Sequence, residues 1–333
     1  MQRKTATLAD VAQRAGVSLS TASKALNGRP EVAPQTRERV EAVAQELQFS
    51  KSSRPGSTRS GTVGLLTADL EGRFVLPILM GAEDAFGAGQ VSVLLCDARG
   101  DSIREQHHVR ALLERRVDGI IVVGDTTNPR PSLGKDLAVP VIYAYAPSED
   151  LTDVSLTPNN VQGGRLATEH LLTLGRTHIA HISGDPSYAA ARDRARGVTE
   201  ALAAANLELT GVPAFSAWSE QWGRDATAML LGRHPEIDGI VCGSDQVARG
   251  VMSTLRELGH AVPQEVAIVG YDDWQVLSLA ERPPLTSIDA NLQHLGRAAA
   301  HALFDAIEGT PPEPGVTELP VRLVIRGSTI ASA

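Results

Sequence analysis

The sequence predicts an all-α head of three helices joined to an α/β body of two doubly wound parallel-sheet subdomains. Three observations carry this. Two short apolar-striped segments flank Gly16-Val17-Ser18 near the amino end. From Thr62 onward, short apolar runs alternate with amphipathic helical stretches, as in a parallel sheet covered on both faces. One phrase then occurs twice: Asp118-Gly119-Ile120-Ile121-Val122-Val123-Gly124-Asp125 returns 120 residues later as Asp238-Gly239-Ile240-Val241-Cys242-Gly243-Ser244-Asp245.

Within the head, Thr7 can cap a first helix, and Asp10 three residues later completes a capping pattern. Leu8, Val11, Ala12 and Ala15 share one helical face, which predicts that this face is buried. Gly16 permits the left-handed backbone that ends a helix, and Val17 packs the turn inward. Ser18 caps a second helix whose early turns expose Leu19, Ser20, Ser23 and Lys24. A third helix is expected over about 34–47, with Pro34 in its first turn and Val40, Val43, Ala44 and Leu47 as its stripe. This is the helix-turn-helix arrangement that lays a recognition helix in the DNA major groove. An ordinary helical hairpin is the alternative. Residues 50–61 hold no hydrophobic side chain and are rich in Ser, Gly and Arg, so they read as a linker.

In the body, strands are expected at 63–66, 91–95, 120–123, 139–143, 179–182, 240–242 and 266–269, and the stretch 62–66 is echoed by 177–182. Two facing halves of this kind make a cleft beyond the strand carboxyl ends.

A chain of 333 residues exceeds one compact core. The net charge of −8 is unevenly spread: residues 1–60 carry ten Lys/Arg against five Asp/Glu, and the rest 21 against 34. A basic head on an acidic body fits a phosphate-binding module. Cys96 and Cys242 lie in apolar runs and read as buried free thiols in a reducing compartment. The polar amino end gives no signal peptide and no apolar run spans a bilayer, so a cytoplasmic protein without membrane partners is expected.

Enzyme chemistry finds little support. No G-x-S-x-G, H-E-x-x-H or Walker sequence occurs. Gly87 to Ser92 reads as a helix-to-strand turn, the wrong order for a dinucleotide loop. His178 and His181 fall on opposite faces of a strand, His107 and His108 sit side by side in a helix, and Asp272-Asp273 are too close in sequence to flank a scissile bond. No catalytic residue, metal or cofactor is expected.

The head Leu8-Ala9-Asp10-Val11-Ala12, Ala15-Gly16-Val17-Ser18 and Thr21-Ala22-Ser23-Lys24-Ala25-Leu26-Asn27 resembles the signature of the LacI/GalR (lactose-repressor) family. So do Asn160 with Gly163-Gly164, Arg194-Ala195-Arg196-Gly197, Ser244-Asp245-Gln246-Val247-Ala248, Val269-Gly270-Tyr271-Asp272-Asp273, Pro284-Leu285-Thr286-Ser287-Ile288, and the run from Leu319 to Arg326. The resemblance implies a body like a type I periplasmic sugar-binding protein, crossed three times near residues 158, 287 and 318. The expected units are a helix-turn-helix domain at 1–49, a short atypical hinge at 50–61, one effector subdomain at 62–157 plus 288–317, and another at 158–287 plus 318–333. It also implies a homodimer on a pseudo-palindromic double-stranded operator; no leucine heptad ends the chain, which favours a dimer over a tetramer. The implied function is a repressor of carbohydrate-utilisation genes controlled by a small sugar. A nucleoside- or purine-responsive repressor, or a sugar-binding protein without DNA function, are the alternatives.

The resemblance places base contacts on Leu19, Ser20 and Lys24, with Thr7, Ser18, Thr21, Ser23 and Asn27 in support. Lys24 suits guanine O6/N7 or a phosphate, Ser20 bonds either way, and Leu19 either meets a thymine methyl or belongs to the core boundary. In the effector cleft, Arg194 can grip paired hydroxyls, Asp245 and Asp272 can accept from them, and Phe74, Tyr145 and Trp218 can stack on an apolar ring face, with Asp69 and Ser244 nearby. Against this, the two aspartates also fit helix N-caps, Arg194 fits a solvated charge, and Phe74 and Trp218 fit the core. Trp222 and Trp274 read as packing residues, Trp274 close enough to Asp272 to line the pocket. Ligand between the subdomains would act by shifting their relative orientation, with coupling of about 1–3 kcal/mol.

The linker departs from the family pattern. No Leu, Ile, Met or Phe lies between Phe49 and Leu65, and Pro55-Gly56 disfavours a helix, so no apolar wedge is available to kink DNA. Arg54 and Arg59 enter a narrow minor groove or touch phosphates. Little bending is therefore expected: in a circular-permutation gel the bound operator should migrate almost independently of site position, and a sharp central kink contradicts this reading.

Overall fold

The computed structural model describes residues 8–26, 31–47, 60–70, 73–87 and 91–330. Thr7, Asn27, Arg54 and Arg59, named above as DNA-binding candidates, lie outside the described residues.

Three helices form the head: α1 (Leu8–Ala15), α2 (Leu19–Leu26) and α3 (Pro34–Glu46). Val11, Ala12, Ala15, Ala22, Ala25, Val32, Val40 and Ala44 are its buried core, and the small alanines let α1 and α2 lie close. Gly16 adopts φ +66°. Its N–H bonds the Gln13 carbonyl and that of Val17 the Ala12 carbonyl, which satisfies the last carbonyls of α1. Ser18 Oγ accepts the Thr21 N–H at 3.1 Å, the N-cap that starts α2.

One sheet of the body contains β1 (Thr62–Thr67), β2 (Ser92–Asp97), β3 (Gly119–Val123), β4 (Val141–Ala144), β5 (Val154–Pro158) and β11 (Gly315–Leu319), in the order β2-β1-β3-β4-β5-β11. The other contains β6 (Ile179–Ser183), β7 (Ala214–Phe215), β8 (Gly239–Cys242), β9 (Ala267–Tyr271), β10 (Thr286–Asp289) and β12 (Arg322–Val324), in the order β7-β6-β8-β9-β10-β12. All pairings are parallel except β10 with β12. Around them lie α4 (Val75–Phe86), α5 (Ser102–Glu114), α6 (Asn160–Thr173), α7 (Ala189–Ala204), α8 (Glu220–Arg233), α9 (Asp245–Glu257), the short α10 (Gln275–Ser278) and α11 (Leu292–Ile307). The chain passes between the two lobes after β5, after β10 and after β11.

The start of the duplicated phrase has a structural role, away from the cleft. Asp118 accepts the N–H groups of Ser60 and Gly61, and Asp238 accepts those of Thr177 and His178, each at 2.8–3.0 Å. Each carboxylate thus pins the entry to the first strand of its sheet. The glycine that follows leaves room for a neighbour: a Cβ on Gly119 would sit 2.7 Å from Leu303, and one on Gly239 3.2 Å from Leu171.

Strand starts differ slightly from the sequence pattern: β2, β4 and β9 begin one or two residues later than expected. Cys242 is buried, but Cys96 is only half-buried, because β2 is an edge strand. Among the described residues, no helix is long and apolar enough to cross a membrane.

Three helix pairs meet backbone to backbone through reciprocal glycines. A Cβ at Gly81 or Gly296 would lie 1.9–2.0 Å from a carbonyl oxygen of the facing helix in the α4/α11 pair. Gly164 and Gly197 do the same between α6 and α7, and Gly223 and Gly250 between α8 and α9, at 2.0–2.2 Å. Real side chains do not tolerate such distances, so Gly164→Ala must push α6 from α7. We expect it to cost about 1–3 kcal/mol, a fall of roughly 2–10 °C in Tm. Gly232→Ala, on an exposed turn of α8 with nothing within 4 Å, should instead leave Tm unchanged or raise it. Equal melting curves for Gly164→Ala and wild type contradict the close-packing account.

Candidate functional site

In each sheet the chain leaves β1 and β3, or β6 and β8, in opposite directions, and such switch points open crevices at the strand carboxyl ends. The loops that follow β1, β3, β4, β6, β7 and β9, together with α7, carry the side chains that meet between the lobes.

Arg194 is the polar centre. It projects from α7 and is 4% exposed, while its neighbours Arg192 and Arg196 are exposed, so the solvated-charge alternative fails. Its Nε donates to Asn160 Oδ1 at 2.9 Å and its Nη1 donates to the Gly243 carbonyl. The guanidinium lies 3.6 Å from the Tyr271 ring centroid and 5.8 Å from that of Trp218. Nη1 is also 3.7 Å from Asp272 Oδ1. Gly163 and Gly164 create this arrangement: a Cβ on Gly164 would strike the Arg194 carbonyl, and one on Gly163 the Tyr271 hydroxyl.

Asp272 follows β9 with φ +100° and is not the cap of α10, where Trp274 takes that position. Its Oδ2 accepts from Arg73 of the opposite lobe, and its Oδ1 is buried without a hydrogen-bond partner. The Arg73 guanidinium rests 4.9 Å from the Phe74 ring and 4.7 Å from the Trp274 ring. Phe74 stacks on Tyr145 at 5.1 Å, and Trp218 meets Tyr188 edge-on at 5.9 Å while covering Gly184. Asn128 adds a second bridge across the lobes, donating to the Ser187 carbonyl at 3.2 Å and accepting the Ala189 N–H at 2.6 Å. Burial pushes the phenols of Tyr145 and Tyr271 up, that of Tyr271 to about 12, so both are neutral donors at neutral pH.

Phe74, Tyr145, Arg194, Trp218 and Asp272 are thus brought together, and Trp274 joins them. Asp69 sits two residues past β1, its N–H bonded to Thr67 Oγ1. Ser244 and Asp245 need correcting as direct ligand groups. Ser244 is 1% exposed and its Oγ caps α9 through the Val247 N–H. Asp245 is fully buried, accepting the Trp274 N–H and the Ser287 hydroxyl, each at 2.6 Å. It buttresses the wall that carries Asp272 and Trp274. Burial first, and the Asp272 carboxylate second, push Asp245 up to about 8. Trp222 is a packing residue, with Nε1 donating to the Ser183 carbonyl.

Arg73, Asn128, Tyr188 and Tyr271 were not singled out from the sequence. Arg73 had a signal, adjacency to Phe74 in the loop after a strand; the others depend on how the lobes face. On the head, Leu19 is 55% exposed, which removes it from the core, and Ser18, Ser20 and Lys24 are exposed beside it. Thr21 and Ser23 are half-buried. No cluster that could hold a metal ion exists among the described residues.

Comparison with known proteins gives a consistent result. Residues 7–52 match the family model described as bacterial regulatory proteins, lacI family, and residues 168–329 a periplasmic binding protein-like domain. A ribose operon repressor of Halalkalibacterium halodurans is 32% identical over 97% of each chain. The HTH-type transcriptional repressor PurR of Aliivibrio fischeri is 29% identical over 98% of each. Among solved structures, a transcriptional regulator CelR–cellobiose complex aligns with TM-score 0.66 at 29% identity, covering 97% of this chain and 99% of that one. The lac repressor dimer bound to operator and the anti-inducer ONPF aligns with TM-score 0.69 at 28% identity, covering 98% and 100%.

The protonation of Asp245 gives a test of the wall. Its carboxyl is raised in the folded state, so between about pH 4 and pH 8 the native protein holds a proton that the unfolded chain has released. Stability from this group is therefore present at low pH and lost as pH rises towards 8. Asp245→Asn removes the titration: its amide oxygen can still accept the Trp274 N–H, and its Nδ2 can donate to Ser287 Oγ in place of the bond now accepted from that hydroxyl. The Tm of the variant minus that of wild type should climb steadily from pH 5 to pH 8; a difference independent of pH contradicts a raised Asp245.

Proposed function

The chain belongs to the LacI family of bacterial regulatory proteins, and from that premise we propose that it represses carbohydrate-utilisation genes under the control of a small sugar held between its lobes. That it is a DNA-binding transcriptional regulator of this family follows from the match of both parts of the chain. The sugar reading is carried by one observation: Arg194 and Asp272 lie side by side between the lobes, among the rings of Phe74, Tyr145, Trp218 and Trp274. A guanidinium and a carboxylate match paired hydroxyls, and flat rings match the apolar face of a pyranose. Cellobiose in a structure of similar fold supports the same class. Aromatic rings with arginine also suit a purine base, and PurR relatives keep that alternative in view.

Two heads of a homodimer would meet the two halves of a pseudo-palindromic operator, with the start of α2 in the major groove. Leu19, Ser20 and Lys24 supply the exposed reading edge. Sugar bound across the lobes would favour one relative orientation, and hence one spacing of the heads. Coupling of about 1–3 kcal/mol gives roughly 5- to 150-fold control.

Two measurements check this. Lys24→Ala should weaken operator binding by about 1–3 kcal/mol in a titration at fixed salt. A base contact also relaxes discrimination at one operator position, whereas a phosphate contact lowers the salt slope by about one; unchanged affinity removes Lys24 from the interface. A thermal-shift screen of carbohydrates against nucleosides should raise Tm with carbohydrates. A response to nucleosides alone overturns the sugar reading.

A further inference from the structure

Arg73 bridges the lobes to Asp272 with one edge of its guanidinium, and among the described residues the rest of its fork has no partner of its own. Around Asp272 two guanidinium groups meet a single carboxylate: Arg73 at Oδ2 and Arg194 at 3.7 Å from Oδ1. The other acidic groups of this wall are already engaged. Asp273 Oδ1 accepts from Arg326 Nη1 at 2.7 Å, and Asp245 lies behind the surface, bonded to Trp274 and Ser287. Among the described residues, Arg73 and Arg194 thus share one carboxylate as their ion-pair partner. The Arg73 side chain is 23% exposed, and its Nε is buried without a hydrogen-bond partner.

Its setting is preorganised. The guanidinium lies over the Phe74 and Trp274 rings at 4.9 and 4.7 Å from their centroids, one ring from each lobe. Contact with two rings restrains the guanidinium, and its Nε is left for an acceptor such as a carboxylate or phosphate oxygen. Arg194 lacks this freedom, since its Nε and Nη1 are committed to Asn160 and Gly243.

We propose that the effector is an acidic sugar, bearing a carboxylate or a phosphate, and that Arg73 selects it by binding that group. The inference rests on the sugar reading above and goes further in naming the charge. Asp272 and Arg194 remain for the hydroxyls; Arg73 keeps one contact with Asp272 and offers the rest of its fork to the anion.

The test is isothermal titration of the full-length protein with matched probes: glucose and galactose, their uronates and aldonates for the carboxylate arm, and their 6-phosphates for the phosphate arm. At least one acid should bind ten-fold or more tighter than its neutral parent, and the advantage should shrink as salt is raised. Arg73→Gln should abolish the advantage, a ten- to hundred-fold loss, while Arg73→Lys should keep part of it, because the charge survives without the planar fork. An unchanged far-UV spectrum and Tm verify that the variants fold. Neutral sugars binding as tightly as both acids, or an acid whose advantage survives Arg73→Gln, overturns the proposal and leaves the sugar reading intact. Binding confined to nucleosides removes that reading and this proposal together.

Discussion

Backbone contact between helices sets the dimensions of the body. Where Gly164 meets the Arg194 carbonyl and Gly197 the Val161 carbonyl, α6 and α7 approach as closely as main chains allow. That approach carries Arg194 inward, onto Tyr271 and beside Asp272, and buries a guanidinium that would otherwise stand in solvent with Arg192 and Arg196. Gly163 performs the matching task for Tyr271. The same device ties α4 to α11 and α8 to α9. Since α11 follows the second passage of the chain between lobes, its seat on α4 also anchors that passage.

The two lobes repeat one plan, and the repetition extends to strained positions. Tyr145 follows β4 at φ +74°, and Asp272 follows β9 at φ +100°, the equivalent strand of the other sheet. A left-handed conformation at a non-glycine residue costs about 1–3 kcal/mol and persists where its surroundings impose it. Here it turns an aromatic ring from one lobe and a carboxylate from the other towards a shared space. Two bridges cross that space, Arg73 to Asp272 and Asn128 to the Ser187–Ala189 backbone. A ligand that alters either bridge changes the relative energy of lobe orientations, which is the requirement for coupling a cleft to a distant head.

Much of this was legible without coordinates. The three-helix head, its glycine turn and its exposed edge follow from local signals: a left-handed glycine, a serine cap and apolar residues at helical spacing. The doubly wound lobes follow from alternation of buried strands and helices. Of the cleft candidates, Phe74, Tyr145, Arg194, Trp218 and Asp272 do converge. The readings of Ser244 and Asp245 as ligand groups, and of Cys96 as buried, did not hold. Residue type and position after a strand say that a side chain stands near the cleft, but not whether it faces ligand space, caps the next helix or lies behind the wall.

What the sequence determined by itself was therefore everything encoded within a turn or two of chain: the helices, the strands, their duplication and the basic reading head. Only the tertiary structure decided which charges meet in the cleft. Arg73 and Asp272 lie 199 residues apart, and the pairing that sets two guanidinium groups on one carboxylate depends on the angle at which two lobes face each other. No periodicity records that angle, because the contacts that cross between the lobes join residues far apart in sequence and have no local signature.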